Sequence, residues 1–277
     1  MKRSLSLSNG DRADLARTTI DGLEIHHEIQ GDGPPIVFVH GLGATSNVWH
    51  AQRTAFSKHY QVIVYDRSGS GRSQPAREGY SIDAWTDELA GLLDYLAVPS
   101  AVVVGHSLGS MIAQRFAAKY ANRTKALILA GGEAELGPEE KKALTERARA
   151  IETHGLCAVV GPWLAAVLSA ATREANPALA GLVREMFLSN DAKTYASHCL
   201  ALRDGAVRSD QGNIVCPTLL LVGDQDLVTP ISWQRRIAAG IANSRIRTIP
   251  NTAHMTMLES PAVFNTVLLD FLATIEF

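Results

Sequence analysis

The chain has 277 residues, with 26 basic and 28 acidic side chains and a formal net charge of −2 at pH 7. So small a net charge argues against nucleic acid as a partner and against a strongly anionic surface. The length suits one large α/β domain, which can bury a sizeable core without metal ions or disulfides.

The N-terminus and the cysteines bear on the compartment. Residues 1–10 have a basic start but no apolar run behind it, so they do not resemble a secretory signal. No window offers the ~20 apolar residues of a membrane span. Cys157, Cys199 and Cys216 are far apart and odd in number, which predicts small buried thiols. We therefore expect a cytoplasmic protein with no membrane partner and a flexible tail over residues 1–17.

The first part of the chain predicts alternating strands and helices. Residues 18–29 alternate apolar and polar side chains around an Asp-Gly turn, as in a β-hairpin. Residues 36–39 and 62–65 are short apolar runs, typical of strands buried on both faces. Residues 81–96 have apolar side chains at helical spacing. This order favours an α/β fold with a doubly wound, mostly parallel sheet, for which we expect eight strands.

The stretch that follows, residues 102–113, contains the pattern G-x-S-x-G at Gly105, Ser107 and Gly109. A strand of β-branched residues precedes the pattern and a helix follows it, which is the setting of a nucleophile elbow. The turn is so tight that side chains would collide, so glycine stands two residues before and two after Ser107. The serine then lies at a helix N-terminus, whose free N–H groups favour a developing negative charge.

Residues 133–212 interrupt the alternation, because they contain no convincing strand. Prolines and capping residues open successive helices in this segment. We interpret it as a helical cap over the active-site end of the sheet. The α/β core then comprises residues 18–132 and 213–277.

A serine hydroxyl is almost wholly protonated at neutral pH, so Ser107 needs a base, and the base needs an orienting carboxylate. In elbow enzymes the acid and then the histidine follow the serine in the chain, each just past the end of a strand. Asp226 and His254 stand in that order and in such places. Asp224 and Glu133 are alternatives for the acid. The predicted catalytic residues are Ser107, Asp226 and His254.

The reaction also needs donors for an oxyanion and a surface for the substrate. The predicted donors are the backbone N–H groups of Leu42 and Leu108, which follow two strand ends. We expect Trp49, Trp163 and Phe187 to contact a small, partly apolar substrate, with core packing as the alternative for each. No spacing suits metal ligands, and the chemistry requires no organic cofactor, so neither is expected.

Other polar side chains are expected to be structural. His40 and His106 lie in the two turns, where we expect them to brace the backbone rather than to titrate. Arg67, Arg72 and Arg203 could bind a substrate carboxylate, although solvation or ion pairing is the commoner fate of such residues.

Together these motifs resemble the α/β-hydrolase superfamily over residues 18–277. The segments that carry the resemblance are HGLG, DRSGSGRS, GHSLG and the stretches 223–230 and 254–265. The family places its acid three residues after the glycine of G-x-x-D, which is Asp226 here, and its histidine at the position of His254. The chain is most similar to the 3-oxoadipate enol-lactonases and small carboxylesterases.

The resemblance implies an α/β-hydrolase fold and hydrolysis of a small ester or lactone through an acyl-enzyme on Ser107. Haloalkane dehalogenases and epoxide hydrolases are disfavoured, because they use aspartate where Ser107 stands. The pair Gly109-Ser110 departs from the Gly-Gly of many members. Two alternatives stay open: a carbon–carbon bond hydrolase of ring-fission diketones, and a hydrolase-fold small-molecule receptor with weak activity. The sequence leaves open whether the protein is a monomer or a homodimer.

Overall fold

The computed structural model describes residues 14–77 and 79–275, and its centre is one eight-stranded sheet. The strands are β1 (Asp14–Ile20), β2 (Leu23–Gln30), β3 (Pro35–Val39), β4 (Gln61–Tyr65), β5 (Ala101–His106), β6 (Thr124–Ala130), β7 (Thr218–Gly223) and β8 (Ser244–Ile249). Their spatial order is β1-β2-β4-β3-β5-β6-β7-β8. The pairs β1·β2 and β2·β4 are antiparallel and the others are parallel, so the predicted mostly parallel sheet is confirmed.

The burial of the strands explains their composition. Every residue of β5 and of β7 is buried, which requires cover on both faces of the sheet and matches their continuous apolar sequences. The edge strand β8 alternates instead, and its Arg245 and Arg247 are exposed. Because parallel strands end at one edge, the residues that follow β3, β5, β6, β7 and β8 meet there.

The helices in the described residues occur in the predicted places, with two additions. They are α1 (His50–Phe56), α2 (Ile82–Tyr95), α3 (Leu108–Lys119), α4 (Pro138–His154), α5 (Val160–Val167), α6 (Ala170–Ala175), α7 (Pro177–Leu188), α8 (Ala192–Asp204), α9 (Ile231–Gly240), α10 (Thr256–Glu259) and α11 (Pro261–Leu272). Neither α6 nor α10 has a separate signal in the sequence, because both are too short to show a helical period. No helix within residues 14–77 and 79–275 is long and apolar enough to cross a membrane.

The segment between β6 and β7 is helical, from α4 to α8. Its two ends meet, because Glu135 and Ala206 form an isolated β-bridge and the Val207 N–H donates to the Ala134 carbonyl at 2.7 Å. The helices therefore leave the sheet and return to it at one place. We keep the name cap for residues 133–212, and the division of the chain into core and cap stays a prediction.

Three expectations need correction. The prediction of a flexible tail over residues 1–17 is wrong for residues 14–17, because these residues belong to β1 and pair with β2. Residues 1–13 lie outside the described residues. Cys157 is exposed in a short 3₁₀ turn after α4, whereas Cys199 and Cys216 are buried as predicted. Thr229-Pro230 looks in the sequence like the N-cap and first residue of α9, but Pro230 stands at the N-cap position and the Thr229 hydroxyl donates to Asp226 Oδ2 instead.

Candidate active site

Ser107 lies at the tip of the turn between β5 and α3, with φ of 53° and ψ of −124°. A non-glycine residue in this region is strained, and such strain is common at functional sites. A Cβ atom on Gly105 would lie 2.2 Å from the Gly109 carbonyl oxygen, and one on Gly109 would lie 2.3 Å from the Val39 carbonyl oxygen. Only glycine fits at either position, so the G-x-S-x-G spacing is a packing requirement of the turn.

The loop after β3, residues 40–43, approaches the serine closely. A Cβ on Gly41 would lie 3.1 Å from the Ser107 Cβ, so glycine lets this loop reach the elbow. The predicted oxyanion donors flank the serine, with Leu108 first in α3 and Leu42 in the loop. Among the described residues, neither of their amide N–H groups donates a hydrogen bond. Both are therefore available to a ligand oxygen.

The loop after β7, residues 224–230, presents Asp226 to the imidazole of His254. His254 Nδ1 donates to Asp226 Oδ2 at 2.9 Å. The other carboxyl oxygen accepts from the amides of Val228 at 2.8 Å and Thr229 at 2.9 Å. The Thr229 hydroxyl donates to Oδ2 at 2.9 Å and lies 3.2 Å from His254 Nδ1. Asp226 is thus saturated with donors, and its partner imidazole is oriented by it.

These contacts set the charges of the pair. Burial would raise the pKa of Asp226, but the charge of His254 and the hydrogen bonds hold it at about 2. Burial would lower the pKa of His254, but the Asp226 charge and hydrogen bond keep it above the ordinary 6.5. The hydrogen bonds of the imidazole within the described residues involve Nδ1 alone, which leaves Nε2 for a proton from Ser107. The Ser107 hydroxyl is not hydrogen-bonded to Nε2 here, and such bonds commonly tighten only when substrate binds.

His40 and His106 brace the turns, as expected. His106 Nε2 donates to the His254 carbonyl at 3.0 Å, which ties the elbow to the loop that carries the candidate base. His40 Nδ1 donates to the Gly41 carbonyl at 2.9 Å, while its Nε2 accepts from the Arg67 amide at 3.1 Å. Burial lowers the pKa of each histidine to about 3, so both are neutral and neither titrates near neutral pH.

A cavity of about 170 Å³ opens above Ser107 and His254. Its walls come from the sheet-edge loops and from the cap, and they include the apolar side chains Leu136, Leu144, Val167, Leu202 and Val228. The cap is fixed to the loops beneath it, because the Met255 amide donates to the Val167 carbonyl at 3.1 Å. Such a cavity suits a small ligand with an apolar part.

The structure separates the three aromatic residues predicted for substrate contact. Trp163 lines the cavity. Trp49 does not: it is fully buried and packs on Phe38, with ring centroids 5.1 Å apart. Phe187 lies behind Trp163, with ring centroids 4.3 Å apart, and is also fully buried. Core packing therefore accounts for the positions of Trp49 and Phe187, and a substrate contact stays a prediction for Trp163.

The three arginines named from the sequence have protein partners. Arg67 is fully buried, donates to the carbonyls of His40 and Gly41 at 3.3 and 3.2 Å, and stacks on the Trp85 ring. Burial lowers its pKa to about 10, so it stays charged. Arg72 bonds to carboxylates, including Asp66 Oδ2 at 3.0 Å. Arg203 pairs with the adjacent Asp204 at 2.7 Å.

Three charged residues that line the cavity, Glu133, Glu140 and Arg147, were not predicted to lie there. Glu133 follows β6 and is buried, and burial raises its pKa to about 7. Arg147 comes from α4 and reaches the cavity from the cap. The sequence named Glu133 only as an alternative acid, and nothing in it signalled Arg147. Asp224, the other alternative acid, is exposed and accepts a backbone hydrogen bond from Thr252.

A metal site is not apparent in the part of the chain that the structure describes, where no three histidine, cysteine or acidic side chains cluster suitably. Asp226 is surrounded by hydrogen-bond donors rather than by further acceptors. The described groups are those of acid–base and nucleophilic chemistry.

The family model described as "Alpha/beta hydrolase family" matches residues 36–267, most of the chain. The chain belongs to this hydrolase family. The fold agrees with the match, since the enol-lactonase from Burkholderia xenovorans LB400 superposes with a TM-score of 0.88 at 29% identity, covering 93% of this chain and 100% of that one. The α/β-hydrolase fold predicted from the sequence is therefore confirmed.

Other hydrolase relatives are similar over almost their whole length. A 3-oxoadipate enol-lactonase 2 from Acinetobacter baylyi is 29% identical over 236 residues, which cover 85% of this chain and 87% of the relative. A Caulobacter sp. protein named provisionally as the carbamate hydrolase RutD is 27% identical, with coverage of 92% and 97%. A thermophilic esterase from Thermogutta terrifontis has a TM-score of 0.89 at 28% identity, with coverage of 96% and 100%.

Proposed function

We propose that this family member is a serine hydrolase that cleaves a small ester or lactone through an acyl-enzyme formed on Ser107. The observation that carries the proposal is a strained serine in a cavity that His254 and Leu42 also line, with Asp226 hydrogen-bonded to the His254 imidazole. The names of the relatives, an enol-lactonase and an esterase, support the same bond type.

In the first half of the reaction, His254 Nε2 accepts the hydroxyl proton as Ser107 Oγ attacks the substrate carbonyl carbon. The carbonyl oxygen becomes an oxyanion, for which the Leu42 and Leu108 amides are the proposed donors. Asp226 stabilises the imidazolium and holds Nδ1 protonated. His254 then returns its proton to the alkoxide oxygen as the bond to it breaks, which leaves an ester on Ser107.

In the second half, water replaces the alcohol. His254 removes a proton from the water as its oxygen attacks the acyl carbon, and it gives that proton back to Ser107 when the second intermediate collapses. A lactone follows the same steps, except that its alcohol stays attached to the acyl group. The apolar cavity wall, with Trp163, is proposed to bind the acyl chain.

The decisive test is Ser107→Ala with p-nitrophenyl acetate. Alanine accepts the same backbone conformation about as well as serine does, so the fold should survive, while kcat should fall by at least about 10⁴-fold because the nucleophile is lost. Steady-state kinetics measure the loss, and circular dichroism with a melting curve checks the fold.

Ser197→Ala is the matched control, since this partly exposed serine of α8 does not line the cavity and should leave kcat unchanged. Full activity of a folded Ser107→Ala protein would reject Ser107 as the nucleophile. A panel of esters, lactones and a ring-fission diketone then identifies the bond, because faster cleavage of the diketone would replace ester hydrolysis with carbon–carbon hydrolysis.

A further inference from the structure

Glu133 is a carboxyl group without a partner inside the cavity. Glu133 is 4% exposed, and its Oε1 atom is buried and makes no hydrogen bond. The other carboxyl oxygen likewise accepts none from the residues that the structure describes. A buried polar group left unpaired is costly, so its presence beside Ser107 and His254 calls for a role.

The loop that carries Glu133, residues 131–133, is held rigidly. Gln234 brackets Gly132, accepting from its amide at 3.2 Å and donating to its carbonyl at 2.9 Å. The Glu133 amide donates to Ser110 Oγ at 3.0 Å, and its carbonyl accepts from Gln114 Nε2 at 2.7 Å. With its backbone fixed in this way, the loop cannot carry the carboxyl group out of the cavity.

The same loop packs against the candidate base. A Cβ atom on Gly131 would lie 2.9 Å from Cε1 and 3.0 Å from Nδ1 of His254. Glu133 stands two residues further along and lines the cavity that the imidazole lines. The imidazole therefore has carboxyl groups from two neighbouring strand ends, Asp226 by direct hydrogen bond and Glu133 across the cavity.

We infer that Glu133 is a positioning residue whose carboxylate stabilises the His254 imidazolium during the reaction, as a second counter-charge beside Asp226. The inference rests on the proposed function. When Ser107 gives its proton to His254 Nε2, the imidazole becomes positive and the substrate carbonyl oxygen becomes negative. Glu133 transfers no proton in this step: it acts only through its charge on the imidazolium.

The charge of Glu133 depends on pH and on the groups that face it. Burial raises its pKa to about 7; the His254 charge opposes that rise and the Asp226 charge adds to it. His106 is neutral, while Glu140 and Arg147 reach the cavity from α4 with opposite charges. Below that pKa Glu133 is a neutral acid and adds nothing, and above it the carboxylate acts on the imidazolium.

The test compares Glu133→Gln with the wild type across the pH range from about 5.5 to about 8.5, using kcat/KM for p-nitrophenyl acetate. Glutamine keeps the shape but has no charge at any pH. The ratio of wild type to variant should be near one at the acid end and climb to about tenfold at the alkaline end. The change should lie in kcat and should be equally large with p-nitrophenyl butyrate.

Glu140→Gln is the matched control, because this glutamate lines the same cavity but is exposed, and its ratio should stay flat. A flat ratio for Glu133→Gln would reduce Glu133 to a packing residue and overturn the inference. A change confined to KM, or to one ester, would make it a substrate contact and overturn the inference equally.

Two further variants distinguish failure of this inference from poor folding and from failure of the proposed function. Glu133→Asp restores a carboxylate, so it should recover part of the pH-dependent rise even if the glutamine variant folds poorly. Ser107→Ala separates this inference from the function beneath it. If Ser107→Ala is inactive and the Glu133 ratio is flat, only the role of Glu133 fails, whereas an active Ser107→Ala protein removes the proposed function itself.

Discussion

Two loops at one edge of the sheet each carry a buried carboxyl group, and the two groups differ in their hydrogen-bond donors and in their pKa values. In the loop after β7, Asp226 accepts hydrogen bonds from backbone, hydroxyl and imidazole donors, and its pKa is about 2. In the loop after β6, Glu133 has no donor among the described residues, and burial raises its pKa to about 7. Both are buried to a similar degree, so the donors, and not the burial, decide which carboxyl group is charged.

The largest effect expected from this comparison comes from Asp226→Asn, which removes the charge but keeps the shape. An amide cannot balance the imidazolium and can favour the wrong His254 tautomer, so kcat should fall by about 10⁴-fold. Steady-state turnover of p-nitrophenyl acetate measures the loss. Asp224→Asn, two residues away and exposed, serves as control and should change kcat by less than about twofold. An equal loss in both variants would contradict the assignment of Asp226.

The second effect concerns stability and follows from Glu133→Gln. Burial raises the pKa of Glu133 from the ordinary 4.5 to about 7 in the folded protein. The folded state therefore keeps the proton between these pH values, and wild-type stability falls as pH rises through them. Glutamine removes this loss. The free energy of unfolding of the variant, relative to wild type, should therefore rise by about 3 kcal/mol between pH 4.5 and about pH 8.

Urea unfolding at both pH values measures the difference. Glu88 is another buried carboxyl group with a pKa raised to about 7, but it is present in both proteins and cancels from the comparison. A difference that does not change with pH would show that the pKa of Glu133 is the same in the folded and unfolded states, so that burial does not raise it.

The smallest effect comes from Thr229→Val, which removes one of the hydrogen-bond donors to Asp226 and so makes its surroundings more like those of Glu133. The variant loses the hydroxyl donor to Asp226 Oδ2 and keeps the backbone donor to Oδ1. A hydrogen bond to a charged group contributes roughly 2 kcal/mol, so stability at neutral pH should fall by about that amount. Thr153→Val, on the exposed face of α4, is the control, and equal losses in both would refute the role of the hydroxyl.

Much of this fold and site could be predicted because local chemistry fixes it. The elbow requires glycine on both sides of Ser107, since a Cβ atom at Gly105 or Gly109 would meet a backbone carbonyl oxygen. Buried parallel strands require apolar runs, and these mark β3 to β7 in the sequence. Asp226 and His254 follow strand ends in the expected order, and the structure joins them by a hydrogen bond of 2.9 Å.

The remainder depends on side chains that meet only after folding. Trp49 and Trp163 look alike in sequence, yet one packs into the core and the other faces the cavity. Thr229 before proline resembles a helix cap, but the nearby carboxylate takes its hydroxyl. The sequence indicated Glu133 only as an alternative acid, and its lack of hydrogen-bond donors depends on which groups surround it in the fold. Periodicity contains no information on such long-range neighbours.

The buried Arg67 has a consequence for how this protein could be altered. Its guanidinium donates hydrogen bonds to the carbonyl oxygens of residues 40 and 41, and it stacks on the Trp85 ring. The loop with the Leu42 amide is thus set before any ligand arrives and needs no reorganisation during turnover. Replacing the sequences of α5 to α7 should then change the substrate preference while leaving the rate of the chemical step unchanged.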